Sequence, residues 1–176
     1  MSKAPGKTDQ AIRSEGAEAY VRAILMMEFG VITSMASRNM PGYDLVAHNL
    51  ENGRRCKNSV KYRRATNADG FRNVGEQYDY DFLVAIVGNR GKVSDREIEV
   101  SPRKPFKAAV FVFPKSVAVD KCKIRKRYDI LRNPQRKDSP PELMDYKDAW
   151  HLITQRLGYR IKRALRDEAE AEEREV

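Results

Sequence analysis

The chain has 176 residues with 34 Lys and Arg against 25 Asp and Glu, a formal net charge of +9, and that length fits one domain with a core of its own. Cys56 and Cys122 stand apart with no CxxC spacing, which argues against a zinc site or a disulfide framework, and the longest apolar runs are far shorter than a membrane span. A soluble, cytoplasmic protein with no membrane partner is expected.

Residues 1–8 read as a disordered leader, 9–166 as a single domain and 167–176 as an acidic tail. The spacing of Ile12, Ala19, Ala23, Ile24 and Met27 predicts an amphipathic helix over 9–29, with Asp9 as N-cap and Gly30 just past its end. Strands are expected at 31–36, 43–48 and 54–62, a loop at 65–77, a buried central strand at 80–87 and another at 107–113, stopped by Pro114. The polar stretch 89–105 reads as irregular. The basic stretch 121–137 has no period and reads as a flexible arm, and 133–141, with three prolines, as a connection. Leu143, Tyr146, Trp150, Ile153, Leu157, Ile161 and Leu165 then form one stripe of a helix over 142–165, with Gly158 weakening its middle. The sum is an α/β domain, a mixed central sheet of about five strands flanked by helices.

The acidic tail holds six acids and one Arg, so the rest of the chain carries 33 basic against 19 acidic residues, +14. Six basic residues fall in 54–64 and eight in 121–137. Clustered charge of this size favours a polyanionic partner, nucleic acid.

Chemistry concentrates in the second and third strands. Asn52-Gly53 predicts a two-residue type I′ hairpin turn, because both central residues of that turn need positive φ. Counting outward places Asp44 opposite Lys61, with Ser59 one pleat along the same face. A carboxylate beside an ammonium suits metal-assisted phosphodiester chemistry. The plainer readings are an Asp44 that caps the turn after Pro41-Gly42 and a Lys61 that belongs to a phosphate-binding stripe.

Helix, then a hairpin with an acid on one strand and xxK on the next, then further core strands, resembles the PD-(D/E)xK nuclease-like superfamily, with its restriction-endonuclease-like fold. Pro41-Gly42-Tyr43-Asp44 matches its P-(x)-D motif, Ser59-Val60-Lys61 matches (D/E)xK at the lysine, and Gly16-Ala17-Glu18 is similar to its G-x-E stretch. The resemblance implies a Mg²⁺- or Mn²⁺-dependent nuclease, acting on DNA ahead of RNA, in which Asp44, Glu18 and the Val60 carbonyl hold the metal and Lys61 positions or activates the attacking water. Ser59 departs from the pattern: a hydroxyl is a poorer ligand than a carboxylate for a hard cation. Either Glu18 supplies the missing charge, in competition with Glu15 and Glu28 on the same helix, or the site is degenerate and the fold only binds nucleic acid.

Arg54, Arg55, Arg63 and Arg64 around the hairpin, and Lys121, Lys123 and Arg125 further on, are expected to contact the nucleic-acid backbone. A homodimer would serve to cut two strands. A third reading is a basic interaction domain whose acidic tail binds a partner or masks its own surface. His48, at a strand end, and His151, beside Trp150, read as structural or surface residues. No P-loop, G-x-S-x-G turn or zinc ligand set occurs.

Overall fold

In the computed structural model the described residues are 7–37, 42–64, 70–88, 108–125, 128–135 and 139–159. The first helix, α1 (Lys7–Met27), begins two residues before the expected cap; past its end Gly30 has a φ of +63°, which suits a residue without Cβ, and the Val31 N–H bonds back to the Leu25 carbonyl. The expected stripe is not its buried face. Ala17, Val21 and Leu25 are buried at four-residue spacing, whereas Ile12 is 63% exposed and Met27 80%. Two apolar stripes run along this helix, and only packing selects between them.

Strands β1 (Ile32–Met35), β2 (Leu45–His48), β3 (Arg55–Arg64), β5 (Phe82–Gly88) and β6 (Ala109–Pro114) form a five-stranded sheet in the order β1-β2-β3-β5-β6. Its neighbours are antiparallel except β3 and β5, so the sheet is mixed as expected. The parallel pair requires a crossover, which here carries the two-residue strand β4 (Phe71–Arg72) in a segment expected to be loop only.

Alternation along β5 and β6 splits the core. Phe82, Val84, Ile86, Val110 and Val112 pack on one face with Ala17, Val21 and Leu25 of α1, while Leu83, Ala85, Val87, Phe111 and Phe113 pack on the other with Phe71, Ala118 and Leu131. Burying both faces of these two strands removes from water a continuous apolar surface that dominates the stability.

The C-terminal third departs most from expectation. Helix α2 (Lys115–Lys121) follows β6 directly, and the stretch read as a flexible arm contains β7 (Lys123–Arg125) and β8 (Tyr128–Leu131), which join β4 in a second sheet of order β4-β8-β7. The expected last helix is broken into a 3₁₀ turn (Pro141–Tyr146) and α3 (His151–Arg156), separated by a bridge from Lys147 to Phe111 and by Asp148 at φ +51°. Its apolar stripe therefore divides: Leu143 packs in one core cluster, and Trp150, Ile153 and Leu157 in the other. The leader up to residue 6, the stretch 89–105, Ile161, Leu165 and the acidic tail lie outside the described residues. Among the described residues, no helix is long and apolar enough to cross a membrane.

A candidate active site where two strands part

The β2–β3 hairpin exists, but its turn spans four residues, 50–53. The Asn49 N–H bonds to the Arg54 carbonyl at 3.0 Å and the Gly53 N–H to the Asn49 carbonyl at 2.9 Å. Only Gly53 of the Asn-Gly pair has positive φ, +71°. Both asparagines are engaged elsewhere: Asn49 and Asn52 each donate from Nδ2 to the Leu157 carbonyl at the end of α3, at 3.1 and 3.0 Å, and Asn49 Oδ1 accepts from the Glu51 N–H. The longer turn shifts the register by two residues. Leu45 pairs with Asn58, so Asp44 stands level with Ser59 and not opposite Lys61. A shift of two leaves every side chain on its expected face.

The site arises from unequal strand lengths. Strand β2 has four residues and β3 has ten, so β3 runs on from Ser59 to Arg64 beside β5 after β2 has turned away. The backbone groups of β3 on that side lose their ladder partners and must be satisfied otherwise. Asp44, at the fork, does this. Its Oδ2 accepts from the Val60 N–H at 2.6 Å and from Ser59 Oγ at 3.3 Å. The Asp44 N–H in turn bonds to the Asn58 carbonyl, and its carbonyl accepts from the Ala36 N–H. Asp44 is thereby held from both neighbouring strands. In extended chain the N–H and C=O of one residue point to the same side, so the Val60 carbonyl faces the Asp44 side of β3.

Gly42 brings the chain into this position. It has φ +102°, and a Cβ there would lie 2.4 Å from the Asp79 nitrogen, so no other residue type permits so close a passage without displacement. Pro41 lies outside the described residues.

Glu18 reaches the same place from α1. A cleft of about 560 Å³ is lined by Glu18, Asp44, Val60, Lys61, Arg63 and Arg72, among others. A second hollow shares Ser14, Glu18 and Asp44 with this cleft and adds Glu15 and Tyr43. The first holds Lys61, Arg63 and Arg72 beside the two carboxylates, and the second adds a further acid to them. Burial raises the Glu18 carboxyl above its ordinary pKa, the Asp44 charge adds to the rise, and Lys61 opposes it. Of the three acids weighed on this helix only Glu18 shares the cleft with Lys61; Glu15 lines the second hollow and Glu28 lies beyond the helix end.

The donor set, two carboxylates and a backbone carbonyl, consists of hard oxygens, which fits a magnesium-sized cation that keeps several waters. Among the described residues, no group of three or more His, Cys, Asp or Glu could hold a metal ion. Ser59, where a second motif acid would stand, is 2% exposed and spends its hydroxyl on Asp44. It helps to position the Asp44 carboxylate and adds no charge.

The other expected contacts are scattered. Arg63 lines the cleft, while Arg55 begins β3 at the turn end, about 17 Å from Val60 at the usual rise per residue, and Arg54 precedes it. Arg64 ends β3. Lys121 is held by Glu142 at 3.2 Å and Asp120 at 3.3 Å, and Lys123 and Arg125 are the ends of β7, the outer strand of the second sheet. His48 bonds across to Ser34 Oγ at 2.9 Å, and His151 is an exposed residue opening α3. Arg72 and Asn73 line the cleft and were not foreseen, because their segment carries only Phe71 and Val74 as apolar signals among polar residues.

No family model matches the chain, and no curated protein matches it. Among solved structures it is similar to a bacterial homing endonuclease, I-Ssp6803I, at 24% sequence identity over 88% of this chain and 94% of that one, with a TM-score of 0.48. At that degree of likeness the description of the fold rests on strand order and register themselves.

Proposed function

We propose that the protein is a metal-dependent nuclease of the PD-(D/E)xK type that hydrolyses phosphodiester bonds in DNA. The observation that carries the reading is the fork of β2 and β3, which gathers Glu18, Asp44, the Val60 backbone and Lys61 around one cleft whose remaining cations are Arg63 and Arg72.

Glu18, Asp44 and the Val60 carbonyl are the ligands for Mg²⁺ or Mn²⁺, which when bound supplies Lewis-acid polarisation of the phosphate and a lowered pKa for coordinated water. The cleft with Lys61, Arg63 and Arg72 receives the sugar-phosphate backbone, because those cations attract its charge while Glu15 in the second hollow repels it. Lys61 orients the attacking water and offsets the negative charge that grows on the phosphoryl oxygens. Asp44 keeps its place because Val60 and Ser59 both donate to it, so the ligand needs no reorganisation before reaction. Mutating Asp44 or Lys61 to Ala is expected to abolish cleavage while folding and DNA binding persist. Equal loss of binding and cleavage would remove both residues from the chemistry.

A specific observation favours one other reading. Among the described residues only two carboxylates line the cleft, and a serine fills the position of the second motif acid. In that reading the fold holds nucleic acid without cutting it. Strongly salt-dependent binding that is indifferent to EDTA, with no cleavage in any divalent metal, is its signature.

A further inference from the structure

Arg72 lies outside the motif that defines the candidate site, yet it lines the same cleft as Glu18, Asp44 and Lys61. It comes from β4, a strand of the second sheet, and its side chain is exposed while its neighbour Phe71 is fully buried. An exposed arginine on a loose loop would say little. This one is on a segment fixed on both sides. On one side, Gly70 has φ +90° and a Cβ there would lie 2.1 Å from the Leu131 carbonyl oxygen, so the strand passes against β8 at a distance only glycine permits. Phe71 then pairs with Leu131, and both are fully buried. On the other side, Asn73 turns the chain at φ +59°, and the Val74 carbonyl accepts from the Tyr80 hydroxyl. Two elements of independent origin, β3 of the large sheet and β4 of the small one, thus present Arg63 and Arg72 to one volume.

The register extends the pattern. Arg72 pairs with Ile130, and Ile130 with Lys123, so these three positions form one row across the second sheet. Adjacent strands lie about 4.8 Å apart, which sets Lys123 about 10 Å from Arg72 in that row. Arg125 is two residues along the same strand.

We propose that Arg72 is a substrate-contacting residue that grips a phosphate of the nucleic-acid backbone beside the one to be cleaved. The proposal deepens the nuclease reading and rests on it for the identity of the ligand. Arginine suits the task because its planar guanidinium engages two phosphate oxygens at once, which a lysine ammonium cannot do.

The test separates charge from geometry. The full-length protein, Arg72→Ala and Arg72→Lys are titrated with a labelled DNA duplex in EDTA, so that nothing is cut, over a series of salt concentrations. Cleavage in Mg²⁺ or Mn²⁺ is measured alongside. Loss of one phosphate contact in Arg72→Ala reduces the slope of log affinity against log salt by about 0.9 and weakens binding about tenfold, the scale of one charged hydrogen bond. Arg72→Lys restores the slope and recovers only part of the affinity and of the cleavage rate. Arg72→Ala with wild-type slope and affinity overturns the proposal and leaves the nuclease reading standing. Equal losses in Ala and Lys variants with an altered denaturation midpoint also overturn it, because the role is then structural. Wild-type protein that neither binds nor cuts DNA overturns the nuclease reading and this proposal together.

Discussion

Asp44 has two roles in the structure that different substitutions separate. It satisfies the Val60 N–H and receives the Ser59 hydroxyl, and its charge stands beside Glu18. Asp44→Asn keeps an oxygen that can accept from Val60 but removes the charge; Asp44→Ala removes both. The difference between the two variants therefore isolates the backbone cap. Leaving a donor unsatisfied beside the buried Val60 costs about 1–3 kcal/mol. With a guanidinium m-value of about 4 kcal/mol/M, Asp44→Ala should unfold about 0.25–0.75 M earlier than Asp44→Asn. The assay is equilibrium denaturation at pH 7 in EDTA, followed by Trp150 fluorescence, with equal m-values required of both variants. Relief of repulsion on Glu18 is common to both and cancels in the comparison. Asp44→Ala as stable as Asp44→Asn, or more so, would show that the carboxylate does not hold the fork together.

The Glu18 carboxyl, raised above its ordinary pKa in the fold, binds its proton more tightly there than in the unfolded chain. Its contribution is fully present below the unfolded pKa and is lost as pH rises through the folded one. Without metal, Glu18→Gln should gain stability relative to wild type from acid to neutral pH, and denaturation midpoints across that range would record it. A divalent cation that binds the folded state should raise the wild-type melting temperature by mass action and leave that of Asp44→Ala unchanged. Gly70→Ala should uncouple β4 from β8 and reproduce the binding loss of Arg72→Ala, which the same salt series reads. Burial, with the Asp81 charge adding to it, pushes the Cys56 thiol up to about 12. Alkylation at pH 8 should therefore spare Cys56 in the folded protein and label it once denaturant is added.

The large sheet was legible because its strands carry their own signals: continuous apolar runs at β5 and β6, and Pro114 ending the latter. Asp44 and Lys61 could be brought onto one sheet face from the hairpin alone, whereas Glu18 is singled out from Glu15 and Glu28 only by its G-x-E context. The pairing could not be read, since Asn52-Gly53 signals a short turn while the side chains of Asn49 and Asn52 are taken by the end of α3, 105 and more residues away in sequence. Periodicity chose the wrong stripe of α1 because both stripes are apolar. It also fused the last helix, because a stripe shared between two faces of a sheet has the same spacing as a stripe on one helix. Strands β7 and β8 are short and carry charged residues, and what places them is backbone pairing of β8 with β4 and of β7 with β8. Arg72 was hidden for the same reason: a two-residue strand has no period.

The central claim is that the fork of β2 and β3 is a metal-dependent hydrolytic centre. Incubating purified protein with supercoiled, linear and branched DNA in Mg²⁺, in Mn²⁺ and in EDTA, with Asp44→Ala in parallel, tests it most directly. The account predicts cleavage that requires the metal and disappears in the variant. Binding without cleavage under every condition would contradict it and leave a fold that holds nucleic acid, with Ser59 marking the lost acid.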